Sequence, residues 1–269
     1  MPQGQDPGGV AVAVVDTGVN YTLDAVAPRL ARNERGELHG YDAQDGDRRP
    51  FDLAPGEDAE RGRRHGTSVA GIVLKEAPQA RIAPYRFRHA DFGSFARIVE
   101  EIAKGPARIV AMSLGGYKRA DWEPFRAAAE AHPELLFVLS AGNDGRDIDE
   151  TPVYPASFGL ANAIVVTSTD PFGRLPKESN WGVTSVDIST PGERIASIDH
   201  TGAPKEVSGT SFAAPRIAAL AARLQARNPD WGTQELKRAI LALGAPSAGD
   251  RSPRTKHGWI PNPAIAGAR

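Results

Sequence analysis

The chain contains no cysteine. Disulfides, thiolate–zinc sites and cysteine nucleophiles are therefore excluded. It also has no excess of either charge: 32 Lys and Arg face 33 Asp and Glu, a formal net charge of −1. Such a balance carries no electrostatic footprint for nucleic acid or an anionic membrane, although it leaves room for a local patch. No apolar run approaches the ~20 residues that span a bilayer. The opening stretch MPQGQDPGG has neither the basic nor the apolar region of a secretory signal. As given, the chain reads as cytoplasmic; as a piece of a longer precursor it reads as secreted. Internal repeats and low-complexity tracts are also missing.

What is present is ordinary globular composition. Of 269 residues, 41% are hydrophobic and 24% charged. A chain of this length can bury about three quarters of its unfolded surface. It reads as one domain over residues 1–269, with a core over about 10–243 and an irregular tail over 244–269. Residues 10–15 (VAVAVV) form a short β-branched run that ends at Asp16-Thr17-Gly18, which reads as a buried strand and a turn. Residues 81–87, 108–113, 135–140 and 163–167 read as further strands.

Helical periodicity lies between them. Phe95, Ile98, Val99 and Ile102 fall on one face, and Gly105 follows as a stop. Trp122, Phe125 and Ala129 mark a second helix. Ile217, Leu220, Ala221 and Leu224 mark a third, with Arg216, Arg223 and Arg227 off the apolar stripe. Leu236, Ile240 and Leu243 mark a fourth, ended by Gly244. Alternating strands and helices predict a three-layer α/β/α domain with a mostly parallel central sheet. Ligands in such folds sit at the carboxyl ends of the strands. Asp16, Ser113 to Gly116 and Ser140 to Asn143 fall there.

Three segments place a reactive side chain among small residues: Val14-Val15-Asp16-Thr17-Gly18, His65-Gly66-Thr67-Ser68-Val69-Ala70-Gly71, and Ser208-Gly209-Thr210-Ser211-Phe212-Ala213-Ala214-Pro215. A serine hydroxyl is a weak nucleophile near neutral pH and needs a base within hydrogen-bond reach. An imidazole can take that proton and return it to a leaving amine. A buried carboxylate fixes the imidazole tautomer and favours the imidazolium. Taken singly, each residue has a bland reading: Asp16 as a turn residue, His65 as a polar group at a helix start, Ser211 as a helix cap, Asn143 as a left-handed turn residue.

Together, in the order Asp, His, Ser, the segments DTG, HGT and SGTSFAAP resemble the subtilisin family of serine proteases. The likeness runs from about Val10 to about Leu243. It includes Met112-Ser113-Leu114-Gly115-Gly116, Ser140-Ala141-Gly142-Asn143, Tyr154-Pro155-Ala156 and Thr190-Pro191-Gly192. The resemblance implies Asp16 as orienting acid, His65 as general base and acid, and Ser211 as nucleophile. It implies Asn143 as oxyanion donor beside the Ser211 N–H. It implies that Ser113, Leu114, Gly115 and Gly116, with Ser140, Ala141 and Gly142, line the pocket for the residue before the scissile bond (P1). Val153 falls at the base of that pocket. The implied substrate is a polypeptide, bound as an added β-strand, and a separate inhibitor or activator is an open expectation.

This chain departs from the family at Ser68, Arg216 and Ala219, where His, His and Gly are usual; none of these is a catalytic position. Only Lys75, Glu76 and Ala77 separate the helix after His65 from Pro78, where many relatives carry a longer calcium-binding loop. The expectation is therefore no cofactor and no metal site. Residues 32–64 hold an insert rich in Arg, Asp and Gly, expected as a surface loop near the non-prime side of the cleft, the side of the acyl half. His39, His89, His132, His200 and His257 read as surface or loop residues. Asp144, Asp147, Asp149 and Glu150 would favour a basic P1 residue, or form a solvated loop, while aliphatic Val153 argues for a shallow pocket. A sedolisin-type enzyme also carries an SGTS segment, but its base is a glutamate, which HGTSVAG does not match. Two other readings use the same residues: a silent peptide-binding relative, and a ligase or cyclase whose acyl-enzyme is intercepted by an amine.

Overall fold

A computed structural model describes residues 4–52, 64–88, 91–246 and 254–267. Seven strands form the main sheet: β1 (Ala11–Asp16), β2 (Tyr41–Asp42), β3 (Arg81–Arg86), β4 (Ile109–Met112), β5 (Leu136–Ser140), β6 (Ala163–Thr169) and β7 (Ile188–Pro191). Their spatial order is β2-β3-β1-β4-β5-β6-β7, and every neighbouring pair is parallel. A separate antiparallel hairpin joins β8 (Ile195–Ile198) to β9 (Pro204–Val207).

The run VAVAVV is continuous because both faces of β1 are covered. Val12 and Val14 enter one apolar cluster, and Ala11, Ala13 and Val15 enter the other. On the first face lie α1 (Gly66–Glu76), α4 (Thr210–Arg227) and α5 (Thr233–Leu241). On the second lie α2 (Gly93–Ala103) and α3 (Arg119–Ala131). This is the three-layer architecture that the alternating pattern predicts. The predicted apolar stripe of α2 is buried as expected, at Phe95, Ile98, Val99 and Ile102. Burying each such side chain contributes roughly 1.5–3 kcal/mol.

The structure departs from the sequence reading in several places. β2 is two residues long, β7 is ISTP, and the β8–β9 hairpin is mostly exposed. None of these carries an apolar period, so none was predicted. The segment beyond Gly244 is not all peripheral. Trp259 bridges Ala245 and Ser189, the Ile260 N–H donates to the Ser189 carbonyl, and Ile260 itself lies in the core. Of the five histidines read as surface or loop residues, His39 and His200 are partly desolvated, which lowers their pKa. His89 lies outside the described residues, as does most of the 32–64 insert beyond Asp52.

The arginines of α4 need a correction. Arg216 and Arg223 do not lie on a solvated face. α4 is enclosed nearly all round by α1 and the sheet, so its long cations bury their stems and find partners inside. Arg216 Nε meets Glu76 Oε1 at 2.6 Å, and its Nη1 donates to the Pro191 carbonyl at 2.8 Å. Arg223 Nη1 donates to the Glu76 carbonyl at 2.7 Å, at the C-terminal end of α1 where cations are favoured. Removing one member of a buried pair leaves the other charge stranded, at about 3–5 kcal/mol. Arg216→Leu is therefore expected to destabilise the fold by roughly that amount, and adding Glu76→Leu should recover most of it. Urea unfolding of the two variants at one pH measures the difference.

Candidate active site

Strand ends and helix starts meet at the carboxyl edge of the sheet. β1 ends at Asp16, β4 runs on into Ser113, and β5 runs on into Ala141 to Asn143. Opposite them, α1 begins just after His65, and α4 begins one residue before Ser211. Asp16, His65, Ser113, Leu114, Ser211 and Phe212 line one cleft of about 400 Å³.

Asp16 is fully buried. Its carboxylate takes the Thr17 N–H at 2.7 Å and faces His65 Nδ1 at 2.8 and 3.0 Å. That contact commits Nδ1 as the donor and leaves Nε2 as the acceptor. Burial pushes the His65 pKa down, but the Asp16 charge and hydrogen bond outweigh it, and the Asp52 charge adds to them. The net shift is upward from 6.5.

Ser211 occupies the first turn of α4, where helix N–H groups lack helical acceptors. The other amides of that turn are used. Thr210 N–H donates to Asn143 Oδ1 at 2.9 Å, and the Phe212 and Ala213 N–H groups donate to the Gly209 carbonyl. Among the described residues nothing accepts from the Ser211 N–H. Thr210 Oγ1 also donates to Asn143 Oδ1, at 3.0 Å. The Asn143 oxygen is held by these two donors, and among the described residues Asn143 Nδ2 has no hydrogen-bond acceptor. The free Ser211 N–H stands at the positive end of a helix dipole.

Pro215 ties this turn to the next wall of the cleft. Having no N–H, it cannot satisfy the Ser211 carbonyl four residues back. Ser113 Oγ donates to that carbonyl instead, at 2.9 Å. Leu114 and Gly115 neither give nor take a backbone hydrogen bond among the described residues, so they present an open strand edge. The opposite wall differs. Ala141 N–H is spent on Val166, Gly142 N–H on Thr210 Oγ1, and the Ala141 and Gly142 carbonyls on Asn180. The Ala141 and Gly142 backbone groups are therefore used, whereas those of Leu114 and Gly115 are open.

Val153 packs against the Leu114–Gly115 edge. Gly116 and Tyr154 exchange two backbone hydrogen bonds at 2.8 Å, which presses Val153 against Gly115. A methyl group added at Gly115 would sit 3.3 Å from Val153 Cγ1. At the rim, Tyr117 Oη donates to Asp144 Oδ1 at 2.9 Å and so links the two walls, with Arg146 over the Tyr117 ring. Asp149 is spent on the Thr184 and Ser185 amides, and Asp147 on the Asp149 amide. Most of the acidic loop is thus engaged in its own structure. At the corner after α1, the carboxylate of Glu76 turns inward to Arg216. Among the described residues no three His, Asp or Glu gather as a metal site.

The chain belongs to the subtilase family. The family model matches residues 8–259. A thermophilic serine proteinase of Bacillus sp. (strain AK1) is 33% identical over 236 residues, which cover 82% of this chain and 53% of that one. Thermitase of Thermoactinomyces vulgaris is 30% identical, over 80% of this chain and 75% of its own. Among solved structures, a cold-adapted subtilisin-like serine proteinase superposes with a TM-score of 0.78 at 25% identity, covering 96% of this chain and 90% of that one. Subtilases are serine peptidases, and this chain carries the family's fold and order of segments.

One residue beneath the site had no recognisable sequence signal. Asp52 is nearly inaccessible. Thr17 Oγ1 donates to its Oδ1 at 2.5 Å, and the Thr67 N–H and hydroxyl both donate to its Oδ2. The same Thr17 oxygen accepts the His65 and Gly66 amides at 3.1 and 3.0 Å. Burial, with the Asp16 charge adding to it, raises the Asp52 pKa to about 6, against the pull of the threonine hydrogen bonds. A general base must be neutral, so activity should fall as pH drops through the raised His65 pKa. The Asp52 charge helps to raise that pKa. Asp52→Asn should therefore move the acid limb of kcat/KM to lower pH, and an unmoved limb in the pH–rate profile would contradict the coupling.

Proposed function

We propose that the chain is an endopeptidase that cleaves polypeptides through an acyl-enzyme on Ser211. The reading is carried by the buried Asp16–His65 pair, which shares one cleft with a serine whose own N–H is free, one residue after the Thr210 amide that Asn143 caps. Substrate adds as a strand along Leu114 and Gly115. Ser211 Oγ attacks the scissile carbonyl carbon as His65 Nε2 takes its proton. Asp16 holds the ring and stabilises the imidazolium. The carbonyl oxygen becomes an oxyanion between the Ser211 N–H and Asn143 Nδ2. When the C–N bond breaks, His65 returns the proton to the leaving amine. Water, deprotonated by the same imidazole, then releases the acid and restores the serine. Each of these steps uses side chains and backbone amides alone.

The carboxylates of the acidic loop are largely engaged, and Val153 packs against Gly115. Both observations support the reading that Val153 floors the pocket and favours small P1 residues over a deep basic pocket.

Two outcomes test this reading. A fluorophosphonate should add once, at Ser211, as read by intact mass. Ser211→Ala should abolish the adduct and His65→Ala should suppress it. A folded protein that takes no adduct would rule out an assembled site. Asn143→Ala should lower turnover by about 10²–10³, a magnitude borrowed from subtilisin itself. For the pocket, Val153→Gly should shift a peptide-library profile from small towards large apolar P1 residues; an unchanged profile would show that Val153 does not set the depth.

A further inference from the structure

The cleft that holds His65 and Ser211 is also lined by Arg64 and Lys205. Neither cation has an ion pair among the described residues. The Arg64 Nε is buried and has no hydrogen-bond partner. The carboxylate in the cleft lining, Asp16, lies beneath His65 and is spent on it. The cations still act on their surroundings: the Lys205 charge opposes protonation of His65, and the Arg64 charge lowers the pKa of His200. His200 Nδ1 is a second buried nitrogen without a partner. The acid that reaches both Lys205 and His200 is Asp199. Its Oδ1 already accepts from the Thr201 N–H, the Thr201 hydroxyl and the Ala203 N–H.

The position of the two cations gives this imbalance a direction. Lys205 stands on β9, in the hairpin that clamps α1. Ser68 Oγ donates to the Ile198 carbonyl at 2.8 Å, and Ser197 Oγ donates to the Ser68 carbonyl at 2.7 Å. The cleft is thus lined by Leu114 from the β4 side and by Lys205 from the hairpin packed on α1. The acyl half of a substrate lies along the edge at Leu114 and Gly115, so the amine half leaves on the other side, where His65 protonates it. Phe212, whose ring sits 4.9 Å from the His65 ring, flanks that exit. A buried guanidinium donor left unpaired is unfavourable. A carboxylate is the group that meets a guanidinium fork and an ammonium at once.

We propose that Arg64 and Lys205 form a carboxylate subsite on the leaving-group side of the cleft. It takes an Asp or Glu side chain, or the chain's terminal carboxylate, within the first residues after the scissile bond. The proposal rests on the peptidase reading above and adds a preference to it.

The test uses the full chain and internally quenched peptides with one acyl half. One set places Glu or Gln at the first and second positions after the scissile bond. The other ends there in a free carboxylate or an amide. The expected result is a kcat/KM about ten-fold higher for the charged member of at least one set, a size in keeping with a charge-assisted hydrogen bond. The ratio should shrink as ionic strength rises. It should approach one in the Arg64→Gln/Lys205→Gln double variant. The set that responds identifies the source of the carboxylate. A ratio near one in both sets, or one that survives the double substitution, would overturn the subsite.

Binding keeps this independent of turnover. Calorimetry on Ser211→Ala should give a lower Kd for the charged peptide of the responding pair than for its neutral mate, and equal values in every pair would also overturn it. A missing fluorophosphonate adduct would instead remove the peptidase reading and leave the binding result standing.

Discussion

Everything at the cleft depends on how closely the start of α1 can approach the end of β1. Gly66 sets that distance. A Cβ there would lie 2.0 Å from the Gly18 carbonyl oxygen and 2.9 Å from Asp16 Cβ. Glycine alone lets the two backbones meet. Because they meet, one threonine hydroxyl accepts the amides of both His65 and Gly66, and the imidazole arrives within hydrogen-bond reach of the carboxylate beside it. The pair is thus held chiefly by backbone, and only secondarily by the attraction between its charges.

The second half of the site is built by subtraction. The start of α4 has a fixed number of orphan amides, and the surroundings satisfy all but the one at Ser211. Asn143 serves twice, its oxygen capping Thr210 and its amide left facing out. Asn180 holds the Gly142–Asn143 corner by accepting from the Asp144 and Arg146 amides and donating to the Ala141 carbonyl. The proline four residues past the serine removes a helical hydrogen bond, and the carbonyl it frees anchors Ser113. One helix start therefore positions Ser211, its free N–H, the Asn143 side chain and the beginning of the Leu114 edge.

These roles were unevenly legible in the sequence. β1, β3, β4, β5 and β6 could be read because parallel strands covered on both faces are nearly continuous apolar runs. The two-residue β2 and the exposed hairpin have no such pattern. Asp16, His65, Asn143 and Ser211 stood out because small residues surround them, and each falls where a turn or helix start requires that. Asp52 did not stand out. Its function comes from Thr17 and Thr67, which are distant from it in the chain, and nothing near it repeats. Arg216 and Arg223 misled because a helix in the middle of a domain has no solvated side. Their charges set them off the apolar stripe, but their partners are the Glu76 carboxylate and main-chain carbonyls inside the fold.

Asp52 also shows what the site costs the fold. Its pKa rises from 3.8 to about 6 on folding. At neutral pH the ionised group therefore opposes folding by about 3 kcal/mol, at 1.36 kcal/mol per pKa unit. This penalty is fully present above pH 6 and fades as pH falls towards 4, because the folded chain then binds a proton that the unfolded chain does not. For this group alone, stability improves on acidification only below the pH at which the His65 base, its pKa raised above 6.5, is lost. An uncharged side chain in the same place would remove the penalty. A neutral amide, however, would turn a donor towards one of the two threonines, both of which already donate. The three donors that face Asp52 require an acceptor at both oxygens, and only the carboxylate provides that. The amides at the start of α1 are thus held by a group that is least stable where the enzyme is most active, as expected when the geometry of a site outweighs the stability of the fold.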